Sequence, residues 1–202
     1  MPISCRIRFS VVSYDQPIET MKEFRIKGPT ITEKRVIATL TVRPNMRIEA
    51  EEFLDRHFSK FSGNVSGILA YIDETTLGFF EKIPRDCTIR LLVSATGGSV
   101  TRPAEKLCEE RRKDAIEIAQ ITFADNSTEK PLFHERWVAD EKVLIDIGTD
   151  LKESSIAAKQ HTISVYDVRA YQDRINEFEW YWKSDESLLS RHFGGKIRKR
   201  SL

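Results

Sequence analysis

The sequence predicts an α/β fold: a mixed sheet flanked by helices, preceded by a small strand-rich amino-terminal piece. Two observations carry this reading. From about residue 63 onward, short runs rich in Ile, Leu and Val alternate with helix-period segments, as expected of strands buried on both faces. Before residue 63 the apolar residues instead alternate strictly with polar ones, the mark of a half-buried strand. The 202 residues are 40% hydrophobic, enough to pack one domain with a small appendage.

In the first region, Ile3, Cys5, Ile7, Phe9 and Val11 alternate with Ser4, Arg6, Arg8 and Ser10, and the run stops at Asp15-Gln16-Pro17. Val36, Ala38, Leu40 and Val42 alternate again, up to Pro44. From Met46 the period becomes helical: Ile48, Phe53, Leu54, His57, Phe58 and Phe61 fall on one face, with Gly63-Asn64 as the stop. Residues 1–62 therefore read as strand-rich with one helix.

Residues 63–184 read as the main domain. Ile68 to Ile72 is an apolar strand, and Asp73 or Thr75 caps a short helix through Phe80. Thr88 to Ser94 is a second buried strand. Gly97-Gly98-Ser99 is a loop, and Pro103 opens a modest helix with Ala104, Leu107 and Cys108 on its apolar side. Ala115 to Phe123 is a strand, with Ile116 and Ile118 on one side and Ile121 and Phe123 on the other. After a polar loop, Leu132 to Val138 and Val143 to Ile147 form two strands joined by a turn at Asp140-Glu141. His161 to Val168 is a further strand. Tyr171, Ile175, Phe178 and Trp182 make the core-facing stripe of a helix over about 170–183. Trp180, Tyr181 and Trp182 cannot all face inward; they pack on the amino-terminal piece or mark an interface or membrane edge.

Composition narrows the function classes. No apolar run approaches the ~20 residues of a membrane span, and no secretory leader is visible at the amino terminus. Three cysteines, Cys5, Cys87 and Cys108, form neither a disulfide framework nor a metal pattern, so the expectation is a cytoplasmic protein with reduced thiols, no metal and no cofactor. His57, His161 and His192 have no partners at metal-ligand spacing. The formal net charge is only +1, yet Arg191, Lys196, Arg198, Lys199 and Arg200 cluster at the end without an acid. Residues 185–202 thus read as a basic tail, either a frayed soluble end or an arm drawn to phosphate-bearing surfaces, with Gly194-Gly195 as a flexible attachment.

The segment with most chemistry is Phe133 to Leu151. It contains His134-x-Arg136, four residues, Glu141, six residues, then Gly148-Thr149. This resembles the phospholipase D superfamily motif, His-x-Lys, four residues, Asp, six residues, Gly-Ser/Thr. Ala70-Tyr71-Ile72-Asp73, Ile83-Pro84 and the strand from Ile89 to Val93 are also similar to that superfamily, so the resemblance spans about residues 66–184. Within it, His134-Glu135-Arg136, the Ile147-Gly148 turn and Tyr166-Asp167-Val168-Arg169 resemble the C-terminal phospholipase D-like domain of MIT-domain proteins of the ESCRT pathway. The three-helix MIT domain itself has no counterpart in residues 1–62.

The resemblance implies a phosphate site made by His134, Arg136, Glu141 and Thr149. In catalytic members one His attacks phosphorus, a second protonates the leaving oxygen, and the Lys holds the phosphoryl oxygens. Here Arg136 stands at the Lys position; a guanidinium grips phosphate bidentately but differs from an ammonium in shape and hydration. The Asp position is Glu141, or Asp140 one residue early. Glu135, Glu141 and Asp150 are acids that Arg136 is also placed to pair with. With a single motif, the expected function is a non-catalytic module that binds anionic phosphate groups, on acidic phospholipid or nucleic acid, and assembles as a homodimer. It would be peripheral to membrane where the ligand is lipid, with a protein partner on the amino-terminal region or the aromatic helix as a further expectation. The alternative is a homodimeric, metal-independent phosphodiesterase or nuclease that uses His134 as nucleophile.

Overall fold

The computed structural model describes residues 36–96, 107, 109, 116–124, 132–151 and 158–201. Contacts divide the chain into Met1–Ile31 and Thr32–Leu202, and the described residues all belong to the second unit. The strand read at residues 3–11, the glycine loop at 97–99 and the helix start at Pro103 lie outside them.

The described strands are β1 (Val36–Val42), β2 (Asn64–Ile72), β3 (Thr88–Thr96), β4 (Ile116–Phe123), β5 (Trp137–Ala139), β6 (Val143–Asp146), β7 (His161–Asp167) and β8 (Ile197–Ser201). They form one eight-stranded mixed sheet in the order β1-β7-β6-β5-β2-β3-β4-β8. β2, β3 and β4 run parallel; the remaining neighbours pair antiparallel. Among the described residues, helices with a full range flank it: α1 (Arg47–Phe58), α2 (Glu74–Phe80), α3 (Gln172–Lys183) and α4 (Glu186–Phe193).

The period of two in a strand explains why the central strands read as unbroken apolar runs. Leu69, Leu91, Val93 and Val138 point to one face, where Ala50, Leu54 and Phe58 of α1 and Leu77, Phe79 and Phe80 of α2 cover them. Ile68, Leu92, Trp137 and Leu144 point to the other, under Phe178 and Tyr181 of α3 and Leu189 of α4. As read from the sequence, Ile116 and Ile118 join the first core and Ile121 and Phe123 the second. Asp73, not Thr75, caps α2, accepting from the Thr76 amide at 2.9 Å while Thr76 Oγ1 accepts from the Asp73 amide.

The structure corrects several expectations. The chain does not divide at residue 62: β1 pairs with β7, and α1 lies in the same core as β2 and β3. The strand was legible in β1, but its partner is more than a hundred residues away. In α1 the buried stripe is Ala50, Leu54 and Phe58, and Ile48 is 68% exposed. The expected strand over 132–138 pairs only from Trp137, with three registered pairs to β2.

Residues 185–202 are not a frayed tail. Asp185 caps α4 by accepting from the Leu188 amide at 2.7 Å, and Gly194 ends the helix in the left-handed conformation, φ 66°. The chain then returns as β8 along β4, with Ile197 buried. Sequence composition hid this because one apolar residue, Ile197, anchors the strand, and polar bonds supply the rest. Ser190 Oγ accepts from the Ile197 amide and Glu186 Oε1 from the Lys199 amide, both at 2.8 Å.

Strands β2 and β5 approach closely at Gly67, where a Cβ would stand 2.9 Å from the Trp137 carbonyl oxygen and 3.1 Å from Leu91 Cδ2. The carbonyl is backbone, and the Leu91 methyl is held in the packed core. Gly67→Ala is therefore expected to destabilise the protein by about 2 kcal/mol. Gly78→Ala, in α2 with open space at its Cβ, should stabilise it by about 0.5 kcal/mol through helix propensity. Urea unfolding of both variants checks the contrast.

Candidate phosphate site

β5 runs antiparallel to β2, with Trp137 opposite Ile68. The residues just before β5 therefore lie toward the carboxyl ends of β2 and β3, the side where open α/β sheets bind ligands. The Ile147 amide donates to the Arg136 carbonyl at 2.8 Å, which carries the β5–β6 pairing one step past the strand. Gly148 follows at φ 66°, and a Cβ there would overlap the Thr162 carbonyl oxygen of β7. Only glycine lets the chain turn so close to β7.

These constraints create a cavity of about 190 Å³ lined by His134, Glu135, Arg136, Asp146, Gly148 and Arg174. His134 and Arg136 thus meet at one pocket, together with the glycine of the Gly-Thr pair. The His134 ring is exposed and makes no hydrogen bond among the described residues. Arg136 donates through Nε to Asp150 Oδ1 at 2.6 Å and through Nη1 to the His134 carbonyl at 2.9 Å. Two of its five N–H donors are used, and of the three acids placed to pair with it Asp150 is the one that does.

Two pocket residues, Asp146 and Arg174, carry no signal in the sequence. Arg174 comes from α3, and its Nη1 donates to Asp146 Oδ2 at 3.0 Å. Its Nε lies 3.9 Å from Glu135 Oε1, and its guanidinium sits 5.2 Å from the centre of the Tyr171 ring. Glu135 is steadied by the Trp137 indole, which donates to it at 2.9 Å. Nothing local marks Arg174: it is a polar residue on an amphipathic helix, and only the packing of α3 on the sheet brings it to the end of β5. Burial, and then a hydrogen bond with Tyr166, push the Tyr171 phenol up to about 12.

Two residues of the expected phosphate set lie elsewhere. Glu141 is exposed in the β5–β6 turn, beside Gly63, at the opposite end of β5 from His134. Asp140 does the structural work there. It is 4% exposed, and accepts from the amides of Lys142 and Val143 at 2.8 Å and of Ser62 at 3.0 Å. Thr149 follows Gly148 but does not line the pocket. In the basic segment, Lys199 is spent on structure: its ammonium donates to the carbonyls of Tyr181, Trp182 and Ser184 at the end of α3. Burial there lowers its pKa. Arg191 is exposed on α4, Lys196 just before β8, and Arg198 and Arg200 on β8.

The aromatic helix packs on α4 and on the segment before β5. Tyr181 is buried with its ring 5.4 Å from Phe133 and 5.6 Å from Phe193, and Trp180, 37% exposed, lies 4.7 Å from His192. His57 sits against Phe53, and the His161 Nδ1 lies 2.9 Å from the Lys159 carbonyl. Among the described residues no group of three His, Cys, Asp or Glu is placed to hold a metal ion, and no helix is long and apolar enough to cross a membrane.

No known protein family and no curated relative matches the chain. Among solved structures it is similar to Nuc from Salmonella typhimurium, a phospholipase D family member, with 7% identity, 81% of this chain and 97% of that one covered, and a TM-score of 0.49. It is likewise similar to NucT from Helicobacter pylori, with 7% identity, 70% and 95% covered, and a TM-score of 0.48. A third likeness is to TrmBL2, an archaeal chromatin protein with a novel mode of DNA binding, with 11% identity, 75% and 54% covered, and a TM-score of 0.44. At these values no residue role is carried over from any of the three.

Two outcomes follow from the geometry. Asp140→Ala leaves three partly buried amides without their acceptor and should cost about 2 kcal/mol, whereas Glu141→Ala should change stability by less than about 0.5 kcal/mol; thermal unfolding separates them. The raised Tyr171 pKa means that the folded state holds this proton longer than the unfolded chain. Its contribution is whole below the ordinary tyrosine value of about 10 and is lost as pH rises toward about 12. Tyr171→Phe should flatten the decline of stability with pH across that window.

Proposed function

We propose that the chain is a phospholipase D-like binding module whose pocket at His134, Arg136 and Arg174 holds a phosphate group without cleaving it. The observation that carries this is the convergence of two guanidinium groups from separate elements, with an exposed imidazole, on one cavity of about 190 Å³ at the end of β5. Arginine forks suit phosphate oxygens, and Arg136 keeps donors beyond those given to Asp150 and His134. Asp146, Glu135 and Asp150 hold the two guanidinium groups in place, so a phosphate adds to a fixed pair rather than gathering mobile cations.

The absence of cleavage in this reading follows from proton bookkeeping. Attack by the His134 ring on phosphorus needs a second group to protonate the leaving oxygen. Among the residues that line the pocket, His134 is the only imidazole. The lining carboxylates Glu135 and Asp146 are engaged by the Trp137 indole and Arg174, so in this reading the leaving oxygen would take its proton from the His134 of another copy of the chain, brought to the same phosphate across a twofold axis. The exposure of the His134 ring keeps that dimeric phosphodiesterase as the second reading. The likeness to the ESCRT-associated domain, with phospholipid binding and dimer assembly, rests on the sequence motif and on Asp167-Val168-Arg169.

Calorimetric titration with a chromogenic phosphodiester, in the presence of chelator, tests the proposal. Arg136→Ala and Arg174→Ala should each weaken binding by about tenfold, the loss of one charge-assisted contact, and no chromophore should be released. Release of chromophore that stops in His134→Ala would replace the binding module with the phosphodiesterase. Unchanged binding in both arginine variants would remove the pocket from either reading.

A further inference from the structure

Three cations of the carboxyl-terminal segment stand in a row. Lys196, Arg198 and Arg200 are exposed at alternate positions, whereas Ile197 and Lys199 between them turn toward α3 and α4. Alternate residues of a strand lie about 7 Å apart on one face. The ladder extends to Lys196, whose carbonyl accepts from the Ala124 amide at 2.7 Å. The register partners of Arg198 and Arg200 on β4 are Thr122 and Gln120, both uncharged. Among the described residues, none of the three cations forms an ion pair. In a chain of net charge +1 this is a local concentration of unpaired positive charge on a rigid strand.

The surroundings decide what such a row can hold. Addition of a peptide strand to β8 is disfavoured, because the amides of Ile197 and Lys199 are already taken by Ser190 and Glu186 of α4. Insertion into a lipid surface is disfavoured too. The large exposed apolar side chains among the described residues are Val36, Ile37, Ile48 and Trp180. The first three belong to β1 and α1, at the other edge of the sheet, and Trp180 lies on α3, across the sheet from the row. What remains is recognition by side-chain charge alone, along a line, at a spacing comparable to that of successive phosphates on an extended nucleic-acid strand.

We infer that Lys196, Arg198 and Arg200 form a track for the phosphodiester backbone of a single-stranded polynucleotide. Contacts of this kind position a strand without reading its bases, so binding is independent of sequence. The track does not depend on the pocket at His134, which lies at β5, four strands away in the sheet order.

The test is fluorescence anisotropy with a short labelled oligothymidylate over a range of salt concentrations. Each phosphate contact on a single strand adds about 0.7 to the steepness of log affinity against log salt. The triple variant Lys196→Ala, Arg198→Ala, Arg200→Ala should flatten that slope by about 2 and weaken low-salt binding by about tenfold or more. Arg198→Gln alone should flatten it by about 0.7, a measurement that survives if the triple variant folds poorly. Arg198→Lys should keep the slope, and oligoadenylate should behave as oligothymidylate does. The pocket variants Arg136→Ala and Arg174→Ala should leave the contribution of β8 intact, so the two sites fail separately. A wild-type slope in Arg198→Gln and the folded triple variant overturns the track, as does binding to phosphatidylserine vesicles without binding to the oligonucleotide.

Discussion

The contact between Gly67 and the Trp137 carbonyl governs the arrangement of this protein. β2 is the hinge of the sheet: it pairs parallel to β3 on one side and antiparallel to β5 on the other. The lack of a side chain at Gly67 lets the Trp137 backbone come close, while the Trp137 side chain enters the core beneath Phe178. With three registered pairs to each neighbour, β5 is short, and its position relies on that packing as much as on hydrogen bonds. Once Trp137 is seated, His134 and Arg136 are delivered to the end of the sheet and Asp140 to the turn at the other end. The same alternation that sends Trp137 inward keeps Arg136 off the Trp137 face.

The pocket is consequently a product of several elements. The segment just before β5 contributes an imidazole and a guanidinium, the last residue of β6 an acid, the turn after it a glycine, and α3 a second guanidinium. Each arginine is already balanced by a carboxylate, Arg136 by Asp150 and Arg174 by Asp146. Half-buried pairs of this type lose a large part of their Coulombic gain to desolvation, so their worth lies more in orientation than in stability. The outcome is a preorganised set of donors whose remaining capacity faces solvent.

The carboxyl-terminal segment shows how few apolar atoms can order a charged strand. Ile197 is buried, Ser190 and Glu186 satisfy the outward amides, and Lys199 closes α3 by donating to three of its last carbonyls. α4 thereby covers the edge of the sheet that β8 would otherwise leave open. Side chains of the same charge then have opposite uses on neighbouring residues: Lys199 is turned inward and spent, while Arg198 and Arg200 point away and stay available.

Local information in the sequence was enough for what periodicity and short-range chemistry control. The doubly buried strands, the two-sided character of β4 and a cap for α2 at Asp73 or Thr75 follow from spacing along the chain. Tertiary structure alone decided the rest. The partner of β1, the arrival of Arg174 at the pocket, the exclusion of Glu141 and Thr149 from it, and the folding of the basic end into α4 and β8 depend on contacts between residues far apart in sequence. The physical reason is that a periodic pattern states which side of an element is apolar, but the neighbour that covers it is selected by the packing of the whole sheet and its helices.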